Sequence, residues 1–380
     1  MVKRDAGGSM DYLIIVMVAL ISVIGIVMVF SAGSAISSNS MYYLQSHLSK
    51  CFLAVVLLVV FSKIDYHHYQ GKSFYLVLIS FAFLFVLLTA KLLGLQLAVR
   101  NTYRWINLGF FNLQPSEMYK IAIIIFLADS LSRKQSSIRS FSQVYLPHLM
   151  IIGLGFLMIL AEPDFGTATA VMLVSFLIMF MAGIPKRYII STLVLALPLL
   201  YWAVRSSAYR WARIMGFMHP ESNIDGINYQ INQSLISIGK GGILGEGFGQ
   251  STQKLFYLPE AHTDFVFSIY SEETGLIGSL VLILLFTVIL YRGYKIARSS
   301  QDLFGFLLAG GIVSMVALYA VVNIAVVSAL LPTKGLPLPF VSFGGSSMMF
   351  NMIGIGILLN ITRHILPASY KEKMNELEHR

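Results

Sequence analysis

About ten runs of apolar side chains, each close to the length that crosses a bilayer, organise this sequence: near 11–31, 48–62, 74–93, 116–131, 146–162, 166–183, 187–204, 266–291, 304–330 and 345–366. A hydrocarbon core of about 30 Å takes roughly 20 helical residues. Lipid offers no water to unpaired backbone N–H and C=O groups, so a spanning run of this kind has to be helical. Composition agrees, at 57% hydrophobic and 12% charged, where a soluble domain carries about 25% charged residues. The expectation is an all-α, polytopic integral membrane protein of about ten transmembrane helices, with residues 1–380 forming a single membrane domain. The first run lies between Lys3 and Arg4 and the small residues Ser31–Ala35, flanks that also suit a secretory signal. Its apolar core exceeds the roughly 7–15 residues of such a signal, and it reads as an uncleaved first helix.

Orientation follows from Lys and Arg. With the N-terminus in the cytoplasm, more than half of the 27 basic residues fall in inside segments, as the positive-inside rule requires. Both termini are then cytoplasmic, and the net charge of +9 reports topology and not a nucleic-acid partner. The single Cys51 excludes an internal disulfide and a Cys-cluster metal site. One large extracytoplasmic loop remains, about residues 205–265. A structureless loop of that length is uncommon, so it is expected to be partly ordered and functional.

Within the loop, Tyr229–Ile238 places Ile231, Leu235 and Ile238 at helical spacing, with Gln230, Gln233, Ser234 and Ser237 on the other faces. This predicts a short amphipathic helix lying on the bilayer or on the bundle. Six glycines follow between Gly239 and Gly249. They admit an anion-binding nest of backbone N–H groups or, more simply, a tight turn. No GxxxxGK followed by Ser or Thr occurs, so a P-loop has no support.

Charges inside apolar runs carry more information, because burying one in a membrane helix costs about 2.5–3.5 kcal/mol on insertion scales. Glu117 and Lys120, in QPSEMYK, sit three apart and can pair on one helix face. That pair suits a local ion pair or a functional cavity equally. Asp164, in AEPDFGTAT, suits the N-cap of the next helix, yet on this topology it faces outward. So do Arg104 and Trp105, and the stretch PEAHTDF with Glu260, His262 and Asp264. A partly desolvated carboxylate at that boundary is tuned toward a general base. The outer bases Arg104, Lys120, Arg210, Arg213, Lys240 and Lys254 can hold a polyanionic lipid headgroup such as a pyrophosphate. Glu260 and His262 are read as shaping the loop, although His262 can also serve as a base. Glu272 and Glu273 are read as acids at the favourable N-terminal end of a helix. Ser251–Lys254 spells SxxK without the companion motifs SDN and KTG, and is taken as coincidence. Asp129, Arg133 and Lys134 read as a cytoplasmic helix end.

The separated motifs RWINLG (104–109) leading to QPSE and Lys120, EPDFGTA (162–168), NYQINQS (228–234), GQSTQKLFYLPEAHTDFVF (249–267), SEETGLIG (271–278) and KGLPLPFVSFGGSS (334–347) together resemble the SEDS family. These are the polytopic peptidoglycan glycosyltransferases typified by FtsW and RodA, and the resemblance runs from the first helix to the last. QKLFYLPEAHTDF and KGLPLPF look closer to the division and sporulation branch. Tyr103 stands where a second basic residue is common, and Phe343 where Tyr is frequent.

The resemblance implies polymerisation of lipid II, an undecaprenyl-pyrophosphoryl disaccharide-pentapeptide, at the outer face of the bacterial cytoplasmic membrane. It implies an essential carboxylate at Asp264, with Glu117, Lys120 and Asp164 at the other acidic and basic motif positions. It also implies a class B penicillin-binding protein as transpeptidase partner, among divisome or elongasome membrane proteins. A divalent cation, Mg or Mn, is compatible with pyrophosphate departure, but no dedicated ligand cluster is visible. Two other classes stay open: a flippase for the same lipid, since intramembrane charges mark transport paths, and a non-catalytic scaffold recruiting the transpeptidase.

Overall fold

The computed structural model describes residues 10–36, 40–94, 103–109, 111–219, 226, 228–255, 258–259 and 262–365. Among them run α1 (Tyr12–Ile36), α2 (Ser40–Lys63), α3 (Ser73–Leu92), α4 (Pro115–Arg133), α5 (Leu146–Ala161), α6 (Phe165–Met181), α7 (Lys186–Arg205), α8 (Ala208–Met218), α9 (Tyr229–Gly241), α10 (Val266–Ser299), α11 (Leu303–Val327) and α12 (Gly345–Arg363). The strands β1 (Ile106–Asn107) and β2 (Asn112–Leu113) pair antiparallel, Ile106 opposite Leu113. Each expected apolar run coincides with one of α1–α7 or α10–α12, and the protein is an all-α multi-pass membrane protein. Eight of these helices are long and apolar enough to cross a membrane by length and composition alone.

The other two, α4 and α6, show why the remaining spans are less apolar or shorter. Helix α6 has 17 residues, and α4 carries Glu117, Lys120, Asp129 and Arg133. Nearly every side chain of α4 from Pro115 to Leu131 is buried, and the helix packs against α3, α6, α11 and α12. Glu117, Lys120 and Asp129 therefore face protein instead of lipid, the tolerated arrangement for charge at membrane depth, and exposed Arg133 at the helix end pairs back to Asp129. Pro115 sits in the first turn, where no intrahelical N–H is lost. Helix α7 is the opposite case. It packs mainly against α6 and α8, with Tyr188 against Phe141 and Tyr145 ahead of α5, and Leu195, Leu197, Leu199 and Trp202 along it are exposed. Helix α12 lies tightly on α2: a Cβ at Gly356 would stand 2.6 Å from the Leu58 carbonyl oxygen, so a bare backbone is what allows the approach.

The long loop contains two helices, and the second lies against the bundle, one of the two placements expected for it. Ser234, Ser237 and Gly241 of α9 are buried against α10, whereas Leu235 and Ile236 are exposed. The Ser234 hydroxyl donates to the Val327 carbonyl at 2.6 Å and lies 2.6 Å from the Ser268 hydroxyl, and Ser237 donates to the Glu272 carboxylate at 2.8 Å. Small hydrogen-bonding residues face the bundle, with Ile231 packed against its core, while Leu235 and Ile236 face outward.

Helix α10 is broken. Gly275 has φ +67° and ψ −165°, a conformation open chiefly to glycine. The backbone groups freed by the break are met by the glycine-rich loop after α9. Glu246 N–H donates to Glu272 O at 2.9 Å, Gly247 N–H to Glu273 O at 3.1 Å, and Leu276 N–H to Gly242 O at 2.9 Å. A Cβ on Gly275 would lie 2.5 Å from Ile243 O, so the loop fits only because the residue is glycine. The glycines thus serve neither an anion nest nor an isolated turn; they complete a discontinuous membrane helix. The part of α10 after Gly275 is by itself long enough, at about 1.5 Å per residue, to cross a core of about 30 Å.

Candidate active site

The C-terminal ends of α3, α5, α7 and α11 meet the N-terminal ends of α6, α9 and α10, with α8, around a cavity of about 810 Å³. That size lies within the roughly 300–1,000 Å³ of small-molecule sites. Asp264 and Phe265, just ahead of α10, form part of its wall, as do Asp164, Phe165 and Gly166 at the start of α6.

Asp264 is held through its backbone. Asn323 of α11 donates from Nδ2 to Asp264 O at 2.8 Å and to Leu336 O at 2.7 Å, tying the segment before α10 to the loop before α12. Ser342 donates to Thr263 O at 2.6 Å, and Phe343 N–H donates to His262 O at 2.9 Å. Gly335 completes the seat: a Cβ there would stand 2.6 Å from Asp264 Oδ2, so only glycine lets the carboxylate keep its position.

Asp164 does the duller job that its position after a turn suggests, and also faces the cavity. Its Oδ1 accepts from Thr167 N–H at 3.1 Å, capping α6, and its Oδ2 lies 3.4 Å from Gln114 Nε2. Arg104 lines the cavity while its guanidinium donates to the carbonyls of Glu162, at 3.0 Å from Nε, and of Pro163. The side chain of Glu162 is buried behind this turn with neither carboxylate oxygen hydrogen-bonded. Burial, reinforced by the nearby Asp164 charge and opposed by Arg104 and Lys91, pushes it up to about 9, so it is a neutral acid at pH 7.

Five basic side chains line the cavity against two carboxylates: Lys91, Arg104, Arg210, Arg213 and Lys334. Arg213 donates to Thr333 O at 3.1 Å, joining α8 to the loop that carries Lys334. Lys91 donates to Ala161 O at 2.7 Å. The Lys334 ammonium lies 5.0 Å from the centre of the Phe165 ring, and burial lowers its pKa. Among the described residues no carboxylate makes an ion pair with Lys91, Arg104, Arg210 or Lys334. Lys91 and Lys334 were not singled out in the sequence. Each ends or follows an apolar run, where a lysine reads as an ordinary boundary anchor.

Other sequence candidates lie elsewhere. Glu117 and Lys120 pair inside α4, fully buried, with Lys120 Nζ 4.5 Å from the Tyr319 ring centre and 3.4 Å from Asn351 Oδ1. Neither lines the cavity. Lys240 donates to the Thr252 hydroxyl at 2.8 Å, outside the cavity. Lys254 is buried and donates to Glu273 Oε1 at 3.0 Å, Ser31 Oγ at 2.8 Å and Gly249 O at 2.7 Å, so all three of its donors are used inside the protein. Glu272 accepts from Ser237, Ser251 and the backbone and hydroxyl of Thr252. These two acids precede the break in α10 and are not in a first helical turn; they anchor the glycine-rich loop. Ser251 donates to Glu272 at 2.6 Å and not to Lys254, so SxxK is no nucleophile pair. His262 packs its ring 5.8 Å from Phe343 and does not line the cavity. Glu260 lies outside the described residues.

The arrangement is one carboxylate held by its backbone at the edge of a cavity rich in cations. It suits a reaction in which a hydroxyl loses a proton while an anionic group leaves.

The chain matches the cell cycle protein family FtsW/RodA/SpoVE over residues 11–366. It is 39% identical over 362 residues to the Geobacter sulfurreducens protein named "Probable peptidoglycan glycosyltransferase FtsW", covering 94% of this chain and 96% of that one. It is likewise 39% identical over 361 residues to Stage V sporulation protein E of Bacillus subtilis, covering 94% and 98%. A chain of a solved peptidoglycan synthase complex, described as coordinating polymerization and crosslinking, superposes with a TM-score of 0.73 at 25% identity over 93% of this chain and 98% of that one.

Proposed function

The chain belongs to the FtsW/RodA/SpoVE family, and from that premise we propose that it polymerises lipid II into glycan strands with Asp264 as general base. It is a peptidoglycan glycosyltransferase of the SEDS type acting in cell wall synthesis. The observation that carries the residue assignment is the position of Asp264 in the wall of a cavity lined by five basic side chains.

The chemistry follows from those groups. Asp264 takes the proton of the acceptor sugar hydroxyl as its oxygen attacks the anomeric carbon of the donor. The bond to the lipid pyrophosphate breaks through an oxocarbenium-like state. Charge develops on the leaving pyrophosphate, and Lys334, Arg210 and Arg213, with Lys91 and Arg104, face the space where it forms. One displacement inverts the configuration, from an α-linked lipid to a β-linked strand, without a covalent enzyme intermediate. A Mg or Mn ion would suit the donor set: Asp264 and Asp164 would hold it together with phosphate oxygens and waters, and it would supply charge neutralisation beside the basic side chains.

In this reading the cavity end faces outward, both termini are cytoplasmic and the membrane is the bacterial cytoplasmic membrane, with division or sporulation as the setting. A class B penicillin-binding protein cross-links the product, consistent with the likeness to a synthase complex. The test is purified full-length protein given lipid II, with and without such a partner, wild type against Asp264→Ala. Polymer from wild type alone supports the assignment. Headgroup translocation without polymer would make the protein a flippase, and neither activity with retained partner binding would make it a scaffold.

A further inference from the structure

At the end of the bundle opposite the cavity, three connections far apart in sequence converge: the turn after α2 with Asp65, Tyr66 and His67, the α10–α11 link with Asp302, and the end of α12 with Asn360 and His364. Asp65 Oδ1 lies 2.8 Å from His67 Nδ1 and 3.7 Å from His364 Nε2. The other ring nitrogens are already committed. His364 Nδ1 lies 3.0 Å from the carbonyl oxygen of Asn360, an atom that can only accept. Nδ1 therefore carries a hydrogen, which leaves Nε2, on the side of the Asp65 carboxylate, as the ring position open to a proton or a metal ion. The ligand atoms of Asp65, His67 and His364 are all within 4.8 Å of one another.

We propose that Asp65, His67 and His364 bind one divalent transition-metal ion of the zinc class, through the carboxylate oxygen, His67 Nδ1 and His364 Nε2. Around a tetrahedral ion with ligands at about 2.0–2.1 Å, neighbouring ligand atoms stand about 3.3 Å apart, a value bracketed by the 2.8 and 3.7 Å observed. Two imidazoles and one carboxylate suit zinc, cobalt or nickel; magnesium and calcium favour oxygen-only shells. The surrounding groups have the form of an outer ligand shell. His67 Nε2 lies 2.9 Å from Asp302 Oδ2, the carboxylate–histidine contact that orients metal-bound imidazoles. Asp302 is itself fixed by Tyr66 Oη at 2.7 Å and Gly305 N–H at 2.6 Å, and Asn360 Oδ1 accepts from Tyr66 N–H at 2.9 Å. His67 and His364 are about a quarter exposed, at 25% and 29%, so an ion and a completing water can reach them. Binding replaces the His67 Nδ1 proton with the metal and releases that proton to solvent. The ion then ties the ends of α2 and α12 to each other and, through Asp302, to α11.

The experiment uses full-length protein in micelles, stripped with chelator and titrated with Co²⁺, whose visible spectrum reports tetrahedral nitrogen and oxygen ligation. Zn²⁺ competition and thermal midpoint are read in parallel. The expected result is one ion per chain, displaced by Zn²⁺ but not by Mg²⁺, with a midpoint raised by Zn²⁺. Binding is lost in His364→Ala and in His67→Ala, and Asp302→Asn weakens it by roughly 10–100-fold. Because His364 lies beyond the last turn of α12, His364→Ala tests the site even where His67→Ala fails to fold. No stoichiometric binding by wild type, or binding unchanged in both histidine variants, overturns the proposal and leaves a hydrogen-bonded Asp–His–Asp clamp without an ion.

Discussion

Lys254 and Lys334 are both largely buried near the same end of the bundle, and they differ in what they face. Lys254 meets Glu273, Ser31 and the Gly249 carbonyl, in the junction where the glycine-rich loop closes the broken helix α10. Lys334 meets the Phe165 ring and the cavity, and no carboxylate pairs with it among the described residues. The desolvation cost of the first charge is met inside the protein. That of the second is offset in part by the ring face and otherwise awaits an anion from outside. One region uses charge to hold the fold together; the other keeps charge available.

The contrast breaks most visibly at the paired lysine. Lys254→Ala strands Glu273 in the interior, and removing one partner of a buried pair costs about 3–5 kcal/mol. The expected outcome is a large drop in thermal midpoint and in folded yield. If Lys254→Ala instead kept its stability and lost lipid II affinity, the two regions would have been assigned the wrong way round. Next comes Gly335→Ala, whose methyl group would lie 2.6 Å from Asp264 Oδ2. A displaced catalytic group of about 1 Å costs on the order of 10²-fold, so polymerisation falls by about that factor while the melting temperature stays near wild type. Lys334→Ala removes a charge-assisted contact worth about 1.5–3 kcal/mol; kcat/KM for lipid II should fall roughly 10–100-fold, with stability preserved or raised.

Glu162→Gln gives the smallest effect. The Glu162 pKa is raised in the folded protein from 4.5 to about 9, so its contribution to stability is complete below 4.5 and is lost as pH rises through 9. The glutamine variant should lack the progressive loss of stability that wild type shows between about pH 5 and 9, and run parallel to it above that, as followed by thermal melts across that range.

The spans were legible because each is a continuous apolar run, and even the charged α4 kept enough apolar residues around Glu117 and Lys120 to be seen. The cavity was legible in part. Asp264, Asp164, Arg104, Arg210 and Arg213 share its wall, and their separate positions at helix ends already placed them on one face. Lys254 misled because its partner Glu273 sits just ahead of a helix break, and SEETG reads as unbroken helix until Gly275 takes a positive φ. Helix α9 was legible as an amphipathic helix on the bilayer or the bundle, but not which side packs: serines lie against the bundle, and Leu235 and Ile236 face out. The Asp65, His67 and His364 group had no local spacing to announce it, since its third member comes nearly 300 positions after the second.

The claim with most resting on it is that Asp264 moves a proton and does not merely hold substrate. The direct measurement is Asp264→Asn, reconstituted with the transpeptidase partner, assayed for lipid II binding and for glycan polymer on the same preparation. Binding within a few-fold of wild type, with polymerisation reduced by about 10²–10⁴-fold, the range for loss of a general base, is the predicted result. Polymer formed at the wild-type rate by that folded variant would contradict it.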